Sequence, residues 1–92
     1  MGFMKMSRIE KKIAVKTKQG LHARPAAMFV QIANKYDANV LVRRGTEEVN
    51  GKSIMGIIML GADHSSEITL VVDGADAEQS LKELEAFLGQ EN

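Results

Sequence analysis

Each strand-like segment of this chain is apolar on one face only, and that restriction decides most of what it can fold into. Glu67 to Asp73 alternates cleanly, placing Ile68, Leu70 and Val72 on one side. Lys11 to Thr17 does the same with Ile13 and Val15. Val40-Leu41-Val42 and Glu47 to Asn50 read as two further strands, joined across a hairpin tip at Gly45-Thr46. A sheet with one apolar face needs a cover on that face and leaves the other to water. Helical stretches supply the cover. Ala23 to Tyr36 carries Ala26, Phe29, Val30 and Ala33 at i, i+3, i+4, i+7 spacing, widened by Ile32 and Tyr36. After Asp73-Gly74, a last helix presents Ala77, Leu81, Leu84 and Leu88, with Asp76 expected as its N-cap and Gln79 completing a weak capping box. Ser53 to Leu60 fits strand or helix by pattern. Ser53 as an N-cap and Gly61 just past the end favour a short helix. The order strand, helix, strand, strand, short helix, strand, helix predicts an α+β fold, an open sheet with helices packed on one side.

With 92 residues there is room for one small domain. A deep pocket closed over a cofactor and a second substrate is not expected, so the chemistry belongs at the surface. Twelve basic and twelve acidic residues cancel. That balance argues against nucleic acid and anionic lipid as direct partners, and Arg43-Arg44 reads as a solvated pair near a turn. The absence of cysteine excludes disulfides, thiolate catalysis and cysteine metal sites, and fits a reducing compartment. The longest apolar run, Ile54 to Ala62, is interrupted by Gly56 and Gly61 and falls far short of the ~20 residues of a membrane span. Met1 to Ser7 lacks a signal-peptide pattern. The expectation is a cytoplasmic protein without membrane insertion. Residues 1–8 are read as an N-terminal extension without fixed structure, and residues 9–92 as a single domain.

Gly20-Leu21-His22-Ala23-Arg24-Pro25-Ala26-Ala27 concentrates chemistry at a predicted helix start. His22 supplies an imidazole, one of whose ring nitrogens can act as a nucleophile. A phosphoryl group on imidazole is readily passed on, because imidazole is a competent leaving group. The first turn of a helix offers backbone N–H donors to an anion, and the guanidinium of Arg24 matches phosphate oxygens. Pro25 removes one donor, so the amides of Ala23 and Arg24, with Ala26 or Ala27, would form any cradle. Two helix starts remain open. The residue before a proline resists the α region, which favours Pro25 as the first helical residue, whereas His22 as the cap gives an anion more donors. Taken alone, a histidine at this place is equally a cap or a surface residue. His64 lies in the polar loop Asp63-His64-Ser65-Ser66 and reads as solvated. Without a cysteine or a spaced carboxylate, His22 and His64 make no case for a metal site, and none is expected.

Gly51-Lys52-Ser53 resembles the end of a P-loop, but position 46 is Thr46 where that motif requires glycine, so nucleotide binding is rejected. Ser53 is a structural cap on the plain reading. It is also well placed to carry a regulatory phosphate, since an anion there meets a helix start. Ile57 and Leu60 face the core of a short helix, which turns Ile54, Met55 and Ile58 elsewhere. Ala27 and Met28 likewise lie off the stripe of the first helix. These five residues either complete the core or form a docking surface, and methionine suits a surface that meets several partners.

The two motifs, Gly20 to Ala26 and Gly51-Lys52-Ser53-Ile54-Met55-Gly56, resemble those of HPr, the histidine-containing phosphocarrier of the bacterial sugar phosphotransferase system. The resemblance spans Ile9 to Leu88. It implies an open-faced βαββαβα sandwich, with four antiparallel strands covered on one face by three helices. It implies that His22 accepts a phosphoryl group on Nδ1 from phosphorylated enzyme I and passes it to the IIA domains of sugar permeases. Arg24 matches the phosphate-contacting arginine. Ser53 matches the serine modified by HPr kinase/phosphorylase, whose product acts with a catabolite-control regulator. Ala27, Ile54, Met55 and Ile58 fall on the docking surface. No cofactor is implied, and a monomer is expected. Related carriers serve nitrogen or purely regulatory roles. One regulatory paralogue lacks the active histidine, and His22 sets this chain apart from it. Two other readings remain: an interaction module working through Ser53 and its apolar patch, and a small hydrolase using His22 as a base. The second has no partner nucleophile and no histidine-orienting carboxylate close in sequence.

Overall fold

In a computed structural model, which describes residues 7–91, the chain runs β1 (Ser7–Ala14), α1 (Ala23–Ala33), β2 (Asn39–Arg44), β3 (Glu47–Asn50), α2 (Ile54–Leu60), β4 (Glu67–Gly74) and α3 (Ala77–Leu88). The strands form one antiparallel sheet in the order β1-β4-β2-β3. β4 is therefore interior, and its alternation is the cleanest because both neighbours share its apolar side. Ile13 pairs with Ile68, Val42 with Leu70, and both Ile9 and Val40 with Val72. The three helices cover that face, and Phe29, Ile57, Leu60, Leu84 and Leu88 meet it in a fully buried core. Burial of each such side chain contributes about 1.5–3 kcal/mol. The expected α+β sandwich, βαββαβα, is the fold observed.

Several local expectations are corrected. β1 begins at Ser7 and ends at Ala14, earlier than the Lys11 to Thr17 alternation predicts. Lys11 pairs with Leu70 on the covered side and sends its ammonium to Glu85 of α3, so a charged residue interrupts the apolar series Ile9, Ile13. Ser7 and Arg8 thus belong to the sheet and not to an extension, while residues 1–6 lie outside the described residues. The open face is not wholly polar either. Val71 is only 2% exposed there, paired with Leu41 on one side and Glu10 on the other. α1 stops at Ala33, short of Tyr36. Asn34 caps it and donates from Nδ2 to the Val30 carbonyl.

Asp76 stands at the N-cap position of α3 but makes no side-chain cap. Its carboxylate instead accepts from the backbone N–H groups of Asp37 and Ala38, at 2.9 and 2.8 Å, and pins the turn between α1 and β2. The Asp37 amide, ahead of the Ala38 amide, holds the Asp76 carboxyl below the usual aspartate range. A carboxyl whose pKa is depressed on folding stabilises the native state above its unfolded pKa, about 4, and that contribution fades as the pH falls through the folded value. Asp76→Ala should therefore lower the Tm at pH 7. The gap from the parent should narrow steadily below pH 4, and thermal melts across that range check it.

Candidate functional site

The β1–α1 loop is built to present His22. Thr17 Oγ1 donates to the Gly20 carbonyl at 2.7 Å, and the Gly20 amide returns to the Thr17 carbonyl, closing a tight turn. Gly20 has φ +62°, and a Cβ there would sit 2.4 Å from the Ala62 carbonyl oxygen. Only glycine lets the two backbones approach this closely. Leu21 then buries its side chain completely and donates its amide to that same oxygen at 2.8 Å. With Leu21 anchored inward, extended backbone at His22 (φ −108°, ψ 159°) turns its ring outward.

His22 is the N-cap of α1, which settles the alternative between His22 and Pro25 in favour of His22. Its side chain makes no cap hydrogen bond, leaving the ring available for other chemistry. Ala23 has φ +45°, a left-handed conformation unusual outside glycine, and such backbone strain gathers at functional sites. Helix geometry leaves the N–H groups of Ala23 and Arg24 without intrahelical acceptors, and Pro25 has none to offer. Arg24 is exposed and, among the described residues, forms no ion pair or hydrogen bond with His22. Beside it runs an open groove lined by Thr17, Pro25, Met28 and Phe87.

The partner of His22 comes from the loop after α2. Its Nε2 lies 3.0 Å from Asp63 Oδ1, across 41 residues of sequence. The imidazole side chain is 44% exposed and the carboxylate 76%. Among the described residues, Nδ1 has no hydrogen-bond partner. Asp63 is the neighbour of His22 that sequence reasoning missed; its only signal was membership of a polar loop. His64, read as solvated, is exposed but directs Nδ1 to the Thr17 carbonyl at 3.1 Å, away from any pairing with His22. Among the described residues no group of three or more His, Cys, Asp or Glu is placed to hold a metal.

α2 joins the two ends of the site. Ser53 accepts from the Gly56 amide at 3.1 Å, and Gly61 ends the helix in the left-handed region at φ +67°. Seven residues span about 10 Å, so Ser53 and the Asp63–His22 end lie a helix length apart. Ile57 and Leu60 are buried, whereas Ile54, Met55 and Ile58 are exposed, as is Met28 on neighbouring α1. Ala27 is half-buried. Met59, not anticipated, is 72% exposed and extends the patch; its i+4 spacing from Met55 was the available signal. Ser53→Ala should cost about 1 kcal/mol through loss of this cap. Urea denaturation checks that value.

An outward histidine at an open helix start, on a small sandwich with an apolar surface beside it, defines a class of small α+β protein with its candidate site on the surface. The comparisons give that class its family. The family model for the PTS HPr component phosphorylation site matches residues 9–90. The HPr-like protein Crh of Halalkalibacterium halodurans is 42% identical over 83 residues, covering 90% of this chain and 99% of that one. A crystal structure of phosphocarrier protein HPr from Bacillus anthracis superposes with a TM-score of 0.87 at 43% identity, covering 89% and 98%. Crh from Bacillus subtilis, described as a swapped, intertwined dimer, gives a TM-score of 0.73 at 40% identity, covering 90% and 95%. The chain belongs to the HPr family of phosphocarriers.

Proposed function

We propose that His22 carries a phosphoryl group, accepted from phosphorylated enzyme I and delivered to the IIA domains of sugar permeases. The observation that carries this reading is the outward ring of His22, whose Nδ1 faces no competing partner among the described residues. The unpaired amides of Ala23 and Arg24 and the guanidinium of Arg24 would hold the phosphate oxygens. The exposed apolar residues Met28, Ile54, Met55 and Ile58, with Ala27, would dock the partners, which supply the remaining half of the site. No helix among the described residues is long and apolar enough to cross a membrane. We place the protein in the cytoplasm, where these partners present their sites.

Incubation with enzyme I and phosphoenolpyruvate should label the chain in an acid-labile, base-stable form. Absence of label sinks the proposal. Arg24→Ala should slow transfer about tenfold, as expected for one lost charge-assisted phosphate contact, while leaving the Tm unchanged. Stopped-flow transfer and a thermal melt check both halves.

A regulatory reading is favoured by one observation: the similarity to Crh, which the B. subtilis structure describes as a catabolite repression protein. Ser53 would then be modified by HPr kinase/phosphorylase and the product would engage a catabolite-control regulator. A phosphate on Ser53 sets negative charge beside the apolar patch and slows charging of His22 at the interface. The kinase and ATP, applied to the parent and to Ser53→Ala, test it. We propose a monomer in solution; sedimentation distinguishes it from the swapped dimer described for Crh.

A further inference from the structure

We infer that Asp63 is a positioning residue for phosphoryl transfer: its carboxylate holds the His22 ring with the proton on Nε2 and the lone pair on Nδ1. The inference rests on the carrier reading and deepens it, since it names the group that selects the reacting nitrogen. Asp63 belongs to neither motif that carries the family resemblance.

The chemistry follows from the contact. An ionised carboxylate can only accept a hydrogen bond. The Nε2 atom 3.0 Å from Asp63 Oδ1 must therefore bear the proton, which leaves Nδ1 of the neutral ring as the free base. The placement is held by backbone on both sides of the carboxylate. Leu21 donates its amide to the Ala62 carbonyl, and Gly20 presents its bare face to the Asp63 backbone. The Asp63 amide donates to Ser66 Oγ, and the Ser66 amide returns to the Asp63 carbonyl, each at 3.0 Å. Val15 ties the same loop to the end of β1, donating to the Ser66 carbonyl and accepting from the Ser65 amide.

Each half-reaction balances on this arrangement. On charging, the Nδ1 lone pair forms a bond to phosphorus, and the donor's bond to phosphorus breaks with its electron pair leaving on the donor atom. The ring now carries phosphorus on Nδ1 and a proton on Nε2, and its positive charge faces Asp63. On discharge, a lone pair of the acceptor attacks phosphorus. The Nδ1–P bond breaks, and its pair returns to Nδ1. The ring leaves as the neutral Nε2–H tautomer, so no proton on it has to move. Without the Nε2 proton it would leave as an anion, a far poorer leaving group. Asp63 thus favours both the right nucleophile and the right leaving group.

The test uses the full chain, ¹⁵N-labelled, as the parent, Asp63→Asn and Asp63→Ala. Both variants keep the backbone groups that seat the loop. Ring ¹⁵N shifts at a pH where His22 is neutral report the tautomer without any phosphate. Potassium phosphoramidate then charges the histidine chemically, and ³¹P spectra follow loss of the phosphoryl group to water at neutral pH. The ratio of Nε2–H to Nδ1–H should fall about two- to fivefold in both variants, the range for an exposed charge contact, and hydrolysis should slow by a similar factor. An unchanged tautomer ratio, or unchanged hydrolysis despite a changed ratio, overturns the inference while a charged parent upholds the carrier reading. A parent that takes no phosphoryl group overturns the carrier reading and, with it, any role for Asp63 in transfer.

Discussion

Alanine in place of His22 should reduce phosphoryl labelling to background while leaving the fold intact. The chain has two histidines, and only His22 stands at the start of a helix. His64 spends its Nδ1 on the Thr17 carbonyl in the turn that shapes the site, and it caps no helix. His22 stands at the open start of α1 with amide donors beside it. The loss should therefore be complete, and His64→Ala should label as the parent does. Stability separates loss of the acceptor from loss of the fold. The described side-chain contact of His22 is a largely solvated one with Asp63, and contacts of that kind contribute about 0–1 kcal/mol. Tm values for His22→Ala and the parent should agree within about 5 °C. Label retained on His22→Ala, at either nitrogen of His64 or elsewhere, would falsify the assignment.

What could be read from residues alone follows the range of the interactions involved. The stripe of α1, the alternation of β4 and both ends of α2 are local patterns, set by neighbours within a turn or a strand. Ser53 and Gly61 announce α2 because a cap contact spans three residues and a left-handed terminus one. The misreadings share the opposite property. Lys11 is paired with Glu85 across 74 residues, so nothing nearby explains a lysine on the covered side of β1. Asp76 has the identity and position of a cap, yet the amides of Asp37 and Ala38 capture its carboxylate. In the site, His22 and Arg24 were legible because they share one turn. Asp63 was not, because the topology alone carries the end of α2 to the start of α1. The left-handed backbone at Ala23 was equally hidden, since alanine gives no local reason to adopt it.

Gly20 is where that topology is most exposed to a single substitution. Gly20→Ala should destabilise the protein by about 2–4 kcal/mol, whereas Gly45→Ala should cost about 1 kcal/mol. The two glycines share φ +62°, so the conformational penalty of an L side chain is common to both. They differ in space. A Cβ at Gly45 meets nothing within 4 Å, while one at Gly20 lies 2.4 Å from the Ala62 carbonyl oxygen and 2.8 Å from Asp63 Cα. Those are backbone atoms, and the oxygen already accepts the Leu21 amide, so they cannot yield as the tip of a flexible side chain can. Relief requires the loop after α2 to back away from the β1–α1 loop, which breaks the Leu21 contact and draws Asp63 from His22. The Tm should fall by roughly 10–20 °C for Gly20→Ala, against about 4–8 °C for Gly45→Ala. In the folded fraction of Gly20→Ala, the His22 tautomer ratio should move toward that of Asp63→Ala. Equal destabilisation by the two substitutions would show that the close approach at Gly20 contributes nothing beyond its φ.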